Sequence, residues 1–294
     1  MKKKFTFWTA LKAFSYIFIV LVFFMPFLLV ISVSLSNDDT ILKYGYTFLP
    51  KIIDTSAYRQ VFKNAGQLIQ SYKITIIYSL AGTLVALIVQ STIAYAISRP
   101  NYKLRKFLTV YLFITMLFHG GLVPTYILVC KYLHLGNTIW VYILTGVSTW
   151  NVIVMRTFFK GLPDGLAEAA KIDGASEYRT FAQIILPLSK PVLATIGFMT
   201  LLGKWNDWNT SLIYIKSPKL YSLQYLLQKI LREAEYLKQM AMSGTGGLET
   251  STINESTDSM KFAMAVLAAG PMLVIFPFFQ KYFCRGLTVG SVKG

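Results

Sequence analysis

Six apolar runs, each of about twenty residues, constrain this chain more than any other feature. They extend from about Ala13 to Ser34, Ile74 to Ile97, Phe107 to Val129, Ile139 to Phe159, Val192 to Tyr214 and Phe262 to Phe283. At 1.5 Å per residue, a helix of that length covers a hydrocarbon layer of roughly 30 Å. Lipid offers no partner to a backbone amide or carbonyl, so such runs are expected to be helical. Composition agrees: only 14% of the 294 residues are charged and 54% are hydrophobic, too little charge for a water-soluble surface. The expectation is an all-α polytopic membrane protein with about six transmembrane helices.

The net charge of +16 invites a nucleic-acid reading. The basic residues, however, lie between the apolar runs rather than along one soluble face, which makes them orientation signals. With the N-terminus inside, the inner stretches carry Lys2, Lys3, Lys4 and Lys12, then Arg99, Lys103, Arg105 and Lys106. Arg156, Lys160, Lys171, Arg179 and Lys190 follow, and finally Lys281, Arg285 and Lys293. The longer outer loops hold most of the acids, including Asp38, Asp39, Glu233, Glu235, Glu249, Glu255 and Asp258. Both termini are therefore expected in the cytoplasm, in a plasma-membrane protein with no nucleic-acid partner. The first run lacks an A-x-A site and is long for a signal-peptide core, so an uncleaved signal-anchor helix is expected. Cys130 and Cys284 then fall on opposite sides of the bilayer and are expected to be unpaired.

The second outer loop contains a helix-like stretch, Ser222 to Met242, followed by a loose Ser243-Gly244-Thr245-Gly246-Gly247 tip. It reads either as a surface helix or as a docking or gating element for an external partner.

The inner loop over 163–191 is the most informative segment. Pro163 suits a helix start, and Asp164 and Glu168 favour the N-terminal end of its dipole. Leu166, Ala169, Ala170 and Ile172 are spaced to share roughly one helix side. Gly174 can stop that helix with a positive φ. Tyr178, Phe181, Ile184 and Ile185 form a second apolar stripe before Pro187 and Pro191. The small residues Ala169, Ala170, Gly174 and Ala175 would let another surface approach closely. By physics alone, this segment is either a docking element for a protein groove or an amphipathic loop at the lipid interface.

Glu168-Ala169-Ala170, Asp173-Gly174-Ala175, Ile184, Leu186, Pro187 and Pro191 together resemble the EAA loop of bacterial ABC-importer permeases, the type I importer or MetI-like fold. Ala94 to Arg99, the Trp205-Asn206-Asp207 element and the tail Gly286 to Gly294 resemble the MalG-like carbohydrate branch. Gly120-Gly121-Leu122-Val123-Pro124-Thr125-Tyr126 resembles its LplC/YtcP-like oligosaccharide sub-branch. The resemblance implies a coupling helix that docks on an ATPase through Glu168, Ala169, Ala170, Asp173, Gly174, Ala175, Leu186 and Pro187. It also implies a tail reaching the ATPase dimer, with Gly286, Leu287, Thr288, Gly290 and Lys293. The implied partners are a second, homologous permease, two ATPase subunits, an extracellular or periplasmic solute-binding protein and an oligosaccharide substrate. The implied division is 1–72 for the N-terminus, first helix and outer loop, 73–284 for the permease core and 285–294 for the tail.

Polar groups inside an apolar run mark pathways. Lys204, Asn206 and Asp207 lie in the fifth run. Lys204 and Asp207, three residues apart, are spaced to pair, and a lysine there can also snorkel outward. Trp205, Asn206, Asp207 and Trp208 are the expected pathway residues, because aromatic faces and amides suit sugar rings and hydroxyls. Trp near a helix end is also an ordinary interfacial anchor. Gly120, Gly121 and Pro124 suggest a break or kink in the third crossing, read either as a cavity-lining break or as a simple packing kink, and Pro271 and Pro277 in the sixth carry the same two readings. His119 reads as a structural histidine, with no metal expected.

No phosphate-binding loop is present. The stretch from Gly197 to Gly203-Lys204 has the wrong spacing, and Trp205 stands where Ser or Thr is needed. No catalytic motif is found either. The expectation is a transport subunit without a catalytic site or cofactor of its own, ATP and Mg being held by a partner ATPase.

Overall fold

The computed structural model describes residues 7–63, 65–242 and 257–286. Among these the chain is helical, apart from one isolated bridge between Ser36 and Ile53. Three helices are long and apolar enough to cross a membrane: α1 (Phe7–Ser34), α4 (Ala65–Ser98) and α15 (Thr257–Gly286). Between α1 and α4 lie the short helices α2 (Asp38–Tyr44) and α3 (Ser56–Phe62).

The remaining apolar runs are interrupted. The third divides into α5 (Arg105–Leu117) and α6 (Leu122–Ile127), bent by 117° across the His119-Gly120-Gly121 break. The α6 helix continues as a π-turn over Leu128–Tyr132. The fourth divides into α7 (Trp140–Leu144) and α8 (Thr149–Lys160), separated by an extended turn at 145–148. The inner loop forms α9 (Asp164–Ile172) and α10 (Glu177–Thr180), the latter leading through a π-turn into α11 (Leu186–Leu188). An 80° bend at Ser189 then opens the fifth run as α12 (Lys190–Trp205), which breaks again before α13 (Asn209–Tyr214). The outer helix is α14 (Leu223–Met242), close to the expected bounds. The break at Gly120-Gly121 is thus found, and α15 is a single helix through Pro271 and Pro277. Breaks in the fourth and fifth runs carry no proline, which is why apolar periodicity alone did not announce them.

The chain forms two compact units. One comprises the chain up to Leu68 together with Leu227–Pro271. In it Asn37 caps α2 by accepting from the Asp39 amide, and Asp54 ties down the following loop through Asn37 and Ser56. Asp38 accepts from the Ser259 amide, and Lys261 bridges Glu235 and Asp258. Most of α1 is left exposed, including Phe14, Ile17, Leu21 and Phe24. Such a continuous bare apolar surface belongs in lipid or against other chains, not in water.

The other unit comprises Ile69–Leu226 and the chain from Met272 on. It has two cores. One packs Ala94, Tyr95 and Ile97 of α4 with Val152, Met155 and Phe159 of α8, Ile185, and Ile196 of α12. The second gathers Ile74 and Tyr78 of α4 with Val129, the α7 residues Val141, Tyr142 and Ile143, and Ile215. The rings of Tyr78 and Tyr142 stack at 4.2 Å between centroids. Cys130 is a free thiol; the Cys284 side chain lies outside what the structure describes.

Candidate functional site: an inner loop and a cavity

The inner loop is built from local signals. Helix α9 ends in a Schellman arrangement: the Ala175 amide donates to the Ala170 carbonyl at 2.9 Å and the Gly174 amide to that of Lys171 at 3.0 Å. Gly174 makes this possible with φ +76°, a value that side-chain-bearing residues adopt at a cost. Ser176 then caps α10 by accepting from the Arg179 amide.

Glu177 locks the two short helices to the end of α4. Its Oε1 pairs with Lys171 Nζ at 2.7 Å, and its Oε2 accepts from the Tyr95 hydroxyl at 2.7 Å. The donors from Lys171 and Tyr95 hold its carboxyl below the usual range. Phe181 packs on the Tyr95 ring at 4.8 Å, and the Arg99 guanidinium lies over the same ring at 4.6 Å. A groove of about 630 Å³ lies beside this junction, lined by Arg99, Tyr102, Glu168, Lys171, Glu177 and Tyr178 among others.

Of the residues expected to couple to an ATPase, Glu168, Ala169, Asp173, Gly174 and Pro187 are exposed, Ala175 and Leu186 are half-buried, and Ala170 is buried. Ile172 does not share the buried side with Ala170, as the spacing predicted; it is 87% exposed, and Tyr178 is 88% exposed. The one residue at the end of α9 and the other at the start of α10 thus offer large apolar surfaces that the chain itself does not cover. In the tail, Gly286 ends α15, while Leu287, Thr288, Gly290 and Lys293 lie outside the described residues.

The second feature is an open cavity of about 840 Å³ between the broken helices. Its wall includes Thr125 of α6, Thr145 and Ser148 of the α7–α8 turn, Asn151 of α8, Thr200 of α12 and Asp207 of the α12–α13 break. Asp207 is the member of the expected pathway set that lines it. Trp205 is 2% exposed and packs near Tyr72, with ring centroids 6.5 Å apart. Asn206 is exposed and its Oδ1 accepts from Gln224 at 3.3 Å. Trp208 is half-buried and away from the cavity lining.

Lys204 neither pairs with Asp207 nor snorkels. Its side chain turns inward, and Nζ donates to the carbonyls of Tyr142 (2.6 Å) and Thr145 (3.1 Å), the orphan acceptors at the end of α7. Asp207 Oδ1 instead accepts from the Thr210 amide at 2.9 Å. The helix break in the fourth run explains the correction, because it creates carbonyls that need a donor more than Asp207 does. Room for the ammonium comes from Gly82, where a Cβ would lie 2.8 Å from Lys204 Cε. The surrounding polar groups close a network: Tyr78 donates to the Lys204 carbonyl, Tyr142 shares a 2.5 Å contact with Ser211, and Ser211 donates to Ser222. Sequence reasoning named Lys204 and Asp207, and Thr125 only within the 120–126 stretch, but missed Ser148, Asn151 and Thr200, whose only signal was a hydroxyl or amide within an apolar run.

Among the described residues, no three His, Cys, Asp or Glu side chains gather to hold a metal ion. His119 lies on the cavity wall.

Comparison with known proteins places these features in a family. The model described as "Binding-protein-dependent transport system inner membrane component" matches residues 82–289. Protein LplC of Bacillus subtilis (strain 168) is 36% identical over 271 residues, covering 92% of this chain and 89% of its own. The polygalacturonan/rhamnogalacturonan transport system permease protein YtcP of the same organism is 34% identical over 272 residues, covering 92% of each. Among solved structures, a chain of a bacterial ABC transporter involved in the import of the acidic polysaccharide alginate superposes with a TM-score of 0.76. It is 26% identical, and the match covers 96% of this chain and 99% of that one.

Proposed function

The chain belongs to the family of binding-protein-dependent transport system inner membrane components, and from that premise we propose how it works as a permease subunit of such an importer. The 163–191 loop docks on a cytoplasmic ATPase, with α9 as the coupling helix and Glu168 facing a basic partner. ATP binding and hydrolysis on that partner then shift the permease between inward- and outward-facing states. A second permease chain completes the membrane portion, two ATPase subunits lie beneath, and a solute-binding protein delivers an oligosaccharide from outside. The chain sits in a bacterial cell membrane with both termini in the cytoplasm, as the positive-inside distribution favours.

One observation carries this reading: Ile172 and Tyr178 stand almost fully exposed on a loop that Glu177 ties to the end of α4. A loop that presents uncovered apolar side chains, flanked by charge, fits a protein groove. The relatives' names support the cargo class: YtcP is a polygalacturonan/rhamnogalacturonan permease, and GanQ of Bacillus subtilis, 30% identical, is a galactooligosaccharide permease.

The test is ATPase activity of the co-expressed complex in proteoliposomes, with a panel of oligosaccharide-loaded binding proteins. Stimulation by a loaded binding protein that is lost in Glu168→Lys or Gly174→Asp supports the reading. Failure of any ATPase to co-purify, or variants that behave as wild type, overturns it.

A further inference from the structure

The loop that follows α1 presents a large apolar surface beside a spanning helix. Tyr44, Tyr46, Phe48, Leu49, Ile52 and Ile53 are each at least 49% exposed, and Leu49 reaches 80%. Hydrogen bonds fix the height of this loop. Ser32, in the last turn of α1, donates to the Thr47 carbonyl at 2.8 Å, so the chain folds back below the end of the helix. The Ser36–Ile53 bridge closes the base of the loop at the same helix end. Tyr46 packs edge-on against Phe262, near the start of α15, at 5.4 Å. The apolar part of α1, Leu11–Ser34, has 24 residues. At that length it covers about 36 Å, more than a hydrocarbon core of roughly 30 Å, so its last turn reaches the headgroup layer. Phe27, Leu28 and Ile31 are exposed over the preceding turn, so helix and loop both bare apolar surface at this level.

The tip is also built to leave water. The Leu49 carbonyl accepts from the Thr47 hydroxyl at 2.9 Å, the Thr47 carbonyl is taken by Ser32, and Pro50 has no N–H to satisfy. The stretch 42–53 carries Lys43 and Lys51 and no acid. Lys51 Nζ lies 3.4 Å from the centre of the Tyr44 ring and Lys43 Nζ 5.3 Å. Of the flanking acids, Asp38 is engaged by Ser259 and Asp54 by Asn37 and Ser56, while Asp39 stands exposed at the start of α2. We propose that the 44–53 tip is an interfacial anchor resting in the lipid headgroup layer, with Phe48 and Leu49 against the upper acyl chains and the two lysines toward lipid phosphates. Tyrosine with lysine beside an apolar tip is the chemistry of that layer, where rings span the polarity gradient and ammonium groups reach outward to anionic lipid. The assignment to the outer leaflet rests on the N-inside orientation proposed above.

The experiment places a nitroxide at Leu49→Cys, in a Cys130→Ser, Cys284→Ser background, in the complex of both permeases with the ATPase. The complex is held in nanodiscs of phosphatidylglycerol and phosphatidylethanolamine, without the binding protein. Collision rates with oxygen, which concentrates in lipid, and with a water-soluble nickel chelate report the surroundings of the label. Oxygen is expected to exceed the chelate at least threefold at 49, with the order reversed for a label at Asp39→Cys. Phe48→Cys gives a second reading should the first variant fail to assemble. Chelate access at 48 and 49 equal to that at 39 would put the tip in water and overturn the proposal. Protection of the tip from both reagents would also overturn it, and would assign the surface to the partner permease. Failure to recruit an ATPase overturns the coupling mechanism proposed above but not the anchor, which the same labels on the permease chain in the nanodisc decide.

Discussion

The hydroxyl of Tyr95, near the end of α4, lies 2.7 Å from Oε2 of Glu177 at the start of α10, so a spanning helix and the inner loop are joined by a direct hydrogen bond. Glu177 uses its other oxygen on Lys171 of α9. In the proposed mechanism, an ATPase docked on α9 would have a short polar route into α4. Glu177→Gln and Tyr95→Phe are expected to lower substrate-stimulated ATPase activity several-fold while leaving the complex assembled. Both residues are in contact with each other, so the double substitution should cost less than the sum of the two. Equal stimulation in wild type and both variants would remove this route.

The same carboxylate makes the junction sensitive to acid. Its depressed pKa means that its stabilising effect is present above the ordinary carboxylate range and is lost as pH falls through the lower, folded value. The ion pair with Lys171 is about half exposed, so it contributes only about 0–1 kcal/mol. Protection of amides in 164–180, with the intrinsic pH dependence of exchange divided out, should therefore hold steady from neutral pH down to the ordinary carboxylate range and fall modestly as the pH drops below that range. Glu177→Gln should remove that acid step. Persistence of the step in the variant would assign it to another group.

Gly174 stops α9 with a positive φ in open space, where an added Cβ meets nothing within 4 Å. Conformation, not crowding, sets the cost of replacing it. Gly174→Ala should destabilise the loop by about 1–2 kcal/mol, the penalty of a left-handed conformation for an L-residue. Gly174→Asn should be milder, because asparagine enters that region more readily. Loop-specific hydrogen exchange distinguishes the two, and equal effects would point to a steric requirement for glycine.

How far this architecture could be read in advance differs from element to element. Helices α1, α4, α14 and α15 announce themselves, since long apolar or amphipathic runs dominate local choices. The α9 stop at Gly174 was equally legible, because only one residue type suits that backbone. The breaks at 145–148 and 206–208 were not. Only Gly146 of those seven residues carries an obvious breaker, and the interruptions depend on tertiary partners such as Lys204, Ser211 and Ser222. For the same reason Lys204 could be singled out as a polar group in an apolar run, but its partners could not. Its acceptors exist only once α7 has ended, and that ending is 59 residues away in sequence from the lysine that satisfies it.

Lys204 and Gly82 supply the most direct test of that packing. The ammonium is buried and satisfies two carbonyls, so Lys204→Met should destabilise the complex by roughly 1–3 kcal/mol, the cost of leaving buried acceptors unpaired. Gly82→Ala should also destabilise, because its Cβ would collide with Lys204 Cε and Nζ at 2.8 and 2.9 Å. In the Lys204→Ala background that collision is gone, and Gly82→Ala should cost little more. Thermal unfolding of the four complexes gives the coupling energy, expected within roughly 0.5–3 kcal/mol. Strict additivity would mean that the lysine does not occupy the space Gly82 leaves.

Asp207 and Asn206 are neighbours with different surroundings. Asp207 lines the cavity, while Asn206 is exposed and engaged by Gln224. Uptake into proteoliposomes should fall at least tenfold for Asp207→Ala and less than twofold for Asn206→Ala, since a lost contact to a ligand hydroxyl is worth about 1.5–3 kcal/mol when the acceptor is charged. Asp207→Asn keeps an acceptor oxygen and should recover part of the loss, provided the Thr210 amide remains satisfied. Trp205→Ala should behave differently again: the ring is buried, so its removal lowers the amount of assembled complex before it touches transport. If Asn206→Ala proves the more damaging of the polar pair, the solute path runs along the outer face of the α12–α13 break and not through the cavity.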